Sequence, residues 1–379
     1  VARDCLTHPY IASHGYACVR VDMRGNGDSD GIMEDEYTEL ELNDGLEVIN
    51  WLAAQSWCNG KVGMMGISWG GFNSLQIAEL APEPLKAIIT LCSTVDRYAD
   101  DIHYKGGCLL NENLGWGSTM WSYSSRPPDP MLVGGAWLHM WSERLKAEPF
   151  LPIKWLKHQT RDDYWKHGSV CENYDGIQSA VLAIGGWGDA YKNAVSHLVS
   201  NIKSPVKGVI GPWVHKYPHF AVPEPKIGFL QEALRWWDRW LKDIETGVEK
   251  DPIYTVYLMD GVRPQSWYAE RPGVWVNEYN WPDGPKMSTF SLAANSKLTE
   301  YHVTQDLNDI VCSPQDCGLD GGEYCAIWLG PEMPGDQRRD DSYSQCYDSE
   351  TLTDRLDIIG APVIRLKIKS DAKSGQVIV

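Results

Sequence analysis

A serine, an aspartate and a histidine occur in this chain in an order that suits acyl transfer. Ser68 lies in Gly66-Ile67-Ser68-Trp69-Gly70-Gly71, a G-x-S-x-G pattern directly after the strand-like run VGMM and before the helix-like run FNSLQIAEL. A sharp strand-to-helix turn forces its serine into a strained backbone conformation, and glycines on either side remove the Cβ clashes that would forbid it. The head of the following helix aims backbone N–H groups at developing negative charge. A serine hydroxyl is a weak nucleophile near neutral pH unless a base takes its proton, so a histidine must lie within hydrogen-bond reach.

Of the ten histidines, His215 in Gly211-Pro212-Trp213-Val214-His215 follows a late strand-like run, VKGVI, on a loop. His219 is its alternative, and Pro218 between them keeps any helix from presenting the two as a metal pair. The acid is expected one strand earlier, where Asp189 ends Gly185-Gly186-Trp187-Gly188-Asp189 after VLAI. There it would accept a hydrogen bond from the imidazole and stabilise the imidazolium; a helix cap near Ala190 is its other reading. The order serine, acid, histidine is that of α/β-hydrolases. The backbone N–H of Trp69 is the first expected oxyanion donor, and Trp187 and Trp213 are candidates to touch substrate. The second donor normally comes from an earlier strand-to-helix loop. No HGGG-type element occurs in this sequence, so that donor is expected upstream of residue 1.

These residues need a scaffold of parallel strands whose C-terminal ends meet. From Tyr16 to His215, short β-branched runs alternate with helical patterns, the mark of βαβ units. Five strands are predicted: Ala17 to Asp22, Lys61 to Gly66, Ala87 to Leu91, Ala180 to Gly185 and Lys207 to Gly211, each apolar enough for burial on both faces. Glu39 to Gln55 places Leu42, Leu46, Ile49 and Leu52 at helical spacing, and Gly228 to Asp243 does the same with Leu230, Leu234, Trp237 and Leu241. The rhythm breaks between Arg97 and Tyr174, where short helices rich in Trp and Met fit an inserted cap, either a packing layer or a substrate-facing lid. After Pro252 the runs YTVYLM, VWVNEYNW, STFSLAA and VIRLKIKS alternate in the manner of strands. The expected organisation is therefore an α/β catalytic domain over 1–96 and 176–250, a helical cap over 97–175, and an all-β domain over 251–379.

Composition narrows the class. With 34 Lys+Arg against 51 Asp+Glu, the formal net charge of −17 repels phosphate backbones, so nucleic acid is not an expected partner. The longest apolar runs are strand-sized, well short of the roughly 20 residues a membrane-spanning helix needs, and a soluble, cytoplasmic protein is expected. Ten cysteines without paired metal spacings fit reduced thiols better than a disulfide framework, and Cys312, Cys317 and Cys325 lack the CxxC pair or nearby histidine of a zinc site. Eighteen Trp beside five Phe favour aromatic-lined pockets. The chain opens on Val1 without a start methionine and ends within a strand-like run, so it is expected to continue at both ends. No metal or organic cofactor is implied, and a homodimer is expected only on base rates.

Taken together, RVDMRGNGDSDG (20–31), INWLAAQSWCNGKVGMMGISWGG (49–71), LKAIITLCSTVDRY (85–98), GGWGDAY (185–191) and GPWVHKYPH (211–219) resemble the X-prolyl dipeptidyl-peptidase and cocaine-esterase family of α/β-hydrolases. The resemblance implies a catalytic domain, a helical cap and a C-terminal β-sandwich of jelly-roll type, with the triad on Ser68, Asp189 and His215. It also implies a tyrosine hydroxyl as second oxyanion donor, upstream of this sequence, and it usually has tyrosine where Trp69 stands. Members that bind a free α-amine use acidic side chains near the pocket. Asp100 and Asp101 have a suitable address after the third predicted strand, or are simply a solvated or capping pair. The expected substrate is a small or short-peptide acyl compound, possible α-aminoacyl esters included, with X-Pro peptide cleavage as the alternative. A non-catalytic, carbohydrate-binding protein on a hydrolase scaffold is the alternative of another class.

Overall fold

The computed structural model describes residues 4–283, 286–304, 307–327 and 330–379. Six strands form one sheet in sequential order: β1 (Val62–Ile67), β2 (Leu85–Leu91), β3 (Ala180–Gly186), β4 (Val206–Gly211), β5 (Tyr254–Met259) and β6 (Gly273–Glu278). The first five run parallel and β6 returns antiparallel to β5. Alternation along β2 and β3 builds a core on each face. Ala87, Ile89, Leu91, Leu182 and Ile184 face one layer, whereas Ile88, Val181 and Ala183 face the other.

Two helices expected from periodicity cover these faces. The first, α1 (Glu39–Ala53), is capped by the Thr38 hydroxyl, which accepts from the Glu41 N–H at 3.2 Å, and it buries Leu42 and Ile49. Next comes α2 (Trp69–Glu79), the helix that leaves the serine turn. The cap contributes α3 (Glu112–Ser124) and α4 (Trp137–Ala147), the β3–β4 crossover carries α5 (Lys192–Asn201), and α6 (Phe229–Lys242) lies on the far face. The buried stripe of α6 is Phe229, Ala233, Trp236, Trp237 and Leu241, rotated from the predicted one, so Leu230 and Leu234 are only half-buried. The two large indoles win the core-facing side because they bury more apolar area than leucine.

Three expectations are corrected. The run Ala17 to Asp22 is extended but pairs with no described strand, and Val19 and Val21 stay exposed. A β-branched run becomes a strand only where a partner takes its backbone hydrogen bonds. The sheet also continues past residue 250: β5 and β6 add to β4, because YTVYLM supplies a partner for the otherwise open edge of β4. Beyond β6, the described residues hold one short hairpin, Ser291–Ala293 with Lys297–Thr299, and VIRLKIKS is exposed and unpaired.

Residues 97–175 hold short helices and a two-residue hairpin, and carry a core of their own in which Tyr104, Met120, Leu151, Trp155 and Trp165 meet Met33. A buried charge network pins this layer down. Glu36 accepts from Arg97 at 3.0 Å, from Trp116 Nε1 at 3.1 Å, and lies 2.6 Å from His103 Nε2. Asp35 accepts from Trp155 Nε1 at 3.1 Å and Tyr164 at 2.8 Å, and pairs with Lys154 at 2.7 Å.

Candidate active site

Ser68 sits at the tip of β1 with φ 59° and ψ −126°, a left-handed conformation for a residue with a side chain, and α2 starts at the next residue. The turn is this tight because Gly66 lacks a side chain: a Cβ there would stand 2.3 Å from the Gly70 carbonyl carbon. On the other side the steric demand falls on Gly71, where a Cβ would meet the Leu91 oxygen at 2.7 Å, whereas one on Gly70 would touch nothing within 4 Å. The motif's second glycine thus offers backbone to be approached, and its neighbour supplies the clearance. Trp69 opens α2, where helix geometry leaves its N–H without an intrahelical acceptor, as an oxyanion donor requires.

Asp189 and His215 stand on two loops that hold each other. Trp187 N–H donates to Gly211 O at 2.9 Å, and Gly188 N–H donates to Trp213 O at 2.9 Å. A Cβ on Gly186 would lie 2.1 Å from the Trp213 oxygen, so this contact between loops depends on glycine. The result is a 2.9 Å contact between His215 Nδ1 and Asp189 Oδ1. Asp189 is 1% exposed, and burial opposes its ionisation, but the charge and hydrogen bond of His215 keep its pKa below the usual range. Burial likewise opposes a charged His215, yet Asp189 raises its pKa well above that of an ordinary imidazole.

Sheet register brings the tips together. Ser68 N–H donates to Leu91 O at 3.0 Å, and Cys92 N–H donates to Ile184 O at 3.0 Å, which carries the β1–β2–β3 ladder one residue beyond the strands. Among the described residues no hydrogen bond joins the Ser68 hydroxyl to His215. Such bonds are often long without substrate and tighten in the reacting complex.

His219 does not compete as the base. Neither of its ring nitrogens has a partner, and it stacks on Phe229 with burial lowering its pKa. Nor is Asp189 a side-chain cap, since the cap position of α5 is Tyr191. Trp187 and Trp213, expected as substrate contacts, both commit their indole N–H groups to main-chain acceptors. Trp187 Nε1 donates to Tyr257 O at 2.8 Å, while Trp213 is 1% exposed with Nε1 on Pro225 O at 2.8 Å. An indole that commits its N–H to main chain inside the core has little left to offer a ligand. Asp100 is paired with Lys105 at 2.5 Å, and Asp101 is 1% exposed with Oδ2 unpartnered; burial raises its pKa to about 7.

Sequence reasoning missed several neighbours. Glu41 accepts from Trp69 Nε1 at 2.6 Å, Asn73 Nδ2 at 2.9 Å and Tyr37 N at 2.7 Å, fixing the indole beside the serine. The Cys92 thiol lies beside the acid–base pair, and Cys325 faces the His215 ring from a segment whose Ala326 carbonyl accepts the His215 N–H at 2.9 Å. The position of Cys92 directly after β2 was the available signal, since residues at strand tips gather around the nucleophile. No local pattern around Cys325 announces its approach.

Comparison with known proteins gives the family and the fold. The family model described as X-Pro dipeptidyl-peptidase (S15 family) matches residues 1–217, and that of the X-Pro dipeptidyl-peptidase C-terminal non-catalytic domain matches residues 246–379. The chain belongs to the S15 family. Its S15 relatives include the cocaine esterase of Rhodococcus sp. (strain MB1 Bresler), 25% identical over 408 residues that cover 94% of this chain and 68% of the esterase. Another is the Xaa-Pro dipeptidyl-peptidase of Lactobacillus delbrueckii subsp. bulgaricus, 21% identical, with 97% of this chain aligned to 47% of that protein. The fold is shared with a CocE/NonD family hydrolase from Staphylococcus aureus, at a TM-score of 0.57 and 20% identity over 75% of this chain and 46% of that one. An α-amino acid ester hydrolase has the same fold, with a TM-score of 0.54 and 19% identity over 77% of this chain and 53% of that one. The chain therefore spans about half the length of these solved structures. As a member of S15 it is a serine hydrolase on an α/β-hydrolase fold, and the C-terminal match assigns its last third to the family's second domain. Among the described residues, no helix is long and apolar enough to cross a membrane.

Proposed function

We propose that the chain hydrolyses an ester or amide through an acyl-enzyme on Ser68, with His215 as general base and then general acid, and Asp189 orienting the imidazole. What supports this reading is the left-handed Ser68 turn and the buried Asp189–His215 pair, all carried at the C-terminal ends of strands of one parallel sheet. His215 takes the Ser68 proton as the hydroxyl attacks the acyl carbon. The Trp69 N–H then receives the developing oxyanion, and His215 returns the proton to the leaving group. Water repeats the sequence to release the acid. Labelling with a fluorophosphonate probe and peptide mapping tests it: an adduct on Ser68 that Trp, Cys or other serine peptides do not share, and that His215→Ala abolishes, is the expected result. No adduct on folded protein would refute the reading.

An α-aminoacyl substrate is favoured by one feature, the unpartnered Oδ2 of Asp101 behind the Lys105-neutralised Asp100. A free amine could supply the missing partner. Asp101→Asn should then raise KM for an α-amino ester and leave its N-acetyl analogue unaffected; equal losses on both would refute the amine contact. X-Pro peptide cleavage is separated from simple ester hydrolysis by comparing an X-Pro nitroanilide with nitrophenyl esters. The ten cysteines, unpaired among the described residues, support a reducing, cytoplasmic setting.

A further inference from the structure

We propose that Cys92, Asp189 and His215 form an inhibitory binding site for a thiophilic divalent cation, with Zn2+ as the ion that fits best. A sulfur, a carboxylate oxygen and an imidazole nitrogen of these residues all lie within 4.8 Å of one another. Zinc takes this donor set at about 2.3, 2.1 and 2.0 Å in tetrahedral geometry, which sets ligand atoms about 3.2–3.8 Å apart. The widest separation therefore closes by no more than about 1.5 Å, while the 2.9 Å contact of His215 Nδ1 with Asp189 Oδ1 opens slightly, both within reach of rotamer adjustment. Their backbones are fixed: Cys92 by its N–H on Ile184 O, the other two by the interlocked loops.

A second, independent observation points to a ligand. Asp189 uses Oδ1 on His215, while its buried Oδ2 accepts no hydrogen bond of ordinary geometry among the described residues, the Cys92 thiol and the Tyr191 N–H being the donors beside the carboxylate. A buried carboxylate oxygen left unfilled is costly unless something visits it. Water completes the tetrahedral set. This grouping is separate from the cysteine set 312, 317 and 325 that sequence spacing set aside.

On binding, the cation takes the place of the Cys92 thiol proton, which leaves to water, and the neutral His215 imidazole binds the ion through Nδ1 with its one proton on Nε2. A metallated His215 cannot accept the Ser68 proton, so turnover stops until the ion departs. The inhibitory consequence rests on the proposed hydrolase mechanism; the binding rests on geometry alone.

The test uses the full chain with Co2+ as a spectroscopic stand-in and Zn2+ as competitor. We expect a thiolate-to-cobalt charge-transfer band that saturates at one equivalent, is displaced by Zn2+, and disappears in Cys92→Ala and in the near-isosteric Cys92→Ser. In parallel, Zn2+ should inhibit nitrophenyl ester hydrolysis reversibly, with EDTA restoring the rate. The inhibition midpoint, relative to each variant's own zinc-free rate, should rise at least tenfold in both variants. A band that persists in folded Cys92→Ala, no band in the native chain, or equal zinc inhibition of native and variant would each overturn the proposal. A band without any esterase activity would leave the metal site standing and remove the hydrolase mechanism; ester hydrolysis without a band would do the reverse.

Discussion

The acid–base loops and the cap are fastened by opposite means. The loops after β3 and β4 are joined by main-chain hydrogen bonds, Trp187 N–H to Gly211 O and Gly188 N–H to Trp213 O, made possible by glycine where a side chain would intrude. The cap is fastened by buried ions, with Glu36 and Arg97 each about 1% exposed in the side chain and His103 fully enclosed. Main-chain ties set position tightly and are neutral to pH. Buried charges hold only while each partner keeps its protonation state, and the loss of one leaves the other stranded. The difference implies that the position of the Asp189 and His215 loops is neutral to pH, whereas the attachment of residues 97–175 answers to acidity.

The strongest test on the loop side is Ser68→Ala, which should lower kcat by up to about 10^6-fold without loss of stability, read by ester turnover and urea denaturation. Asp189→Asn should cost about 10^4-fold in kcat. Because Asp189 raises the His215 pKa, the native rate should climb as pH passes upward through a value above 6.5 (the ordinary imidazole pKa), and the variant's limb should move to lower pH. A limb that stays in place would detach the histidine from its acid.

On the cap side, Glu36→Gln should lower stability by about 3 to 5 kcal/mol in urea melts, because Arg97 and His103 lose a shared counter-charge. The two carboxylates there act in opposite senses. Glu36, held at about 2 against burial by His103 and Arg97, adds stability above its unfolded pKa that disappears as pH falls from about 4.5 towards 2. Asp101, raised by burial to about 7, keeps a proton in the folded chain that the unfolded chain loses near pH 4, so stability falls as pH rises from about 4 to 7. Asp101→Asn should flatten that decline, as thermal melts across the window would show. The smallest effect is expected for Trp187→Phe, about 1 kcal/mol of stability from the hydrogen bond to Tyr257 O, with kcat/KM unchanged. A marked change in KM would return the indole to the substrate pocket.

The parts of the molecule legible in the sequence are those in which local pattern and local geometry coincide. The serine turn, the strands ending in GGWGD and GPWVH, and α1 follow from residues close in sequence. What was misplaced depends on distant partners. Ala17 to Asp22 has the composition of a strand but no described neighbour to pair with, and Tyr254–Met259 joins the catalytic sheet because β4 offers it an edge. The indoles of Trp187 and Trp213 look like pocket walls until Tyr257 O and Pro225 O are seen to hold their N–H groups. The Glu36–Arg97 pair is 61 residues apart in sequence and leaves no periodic trace.

The mutual grip of the two loops has a mechanical consequence. Asp189 and His215 ride on loops tied to each other through main chain, so the contact between their side chains is set before any substrate arrives, and a proton taken from Ser68 would travel along a path whose far end is already fixed.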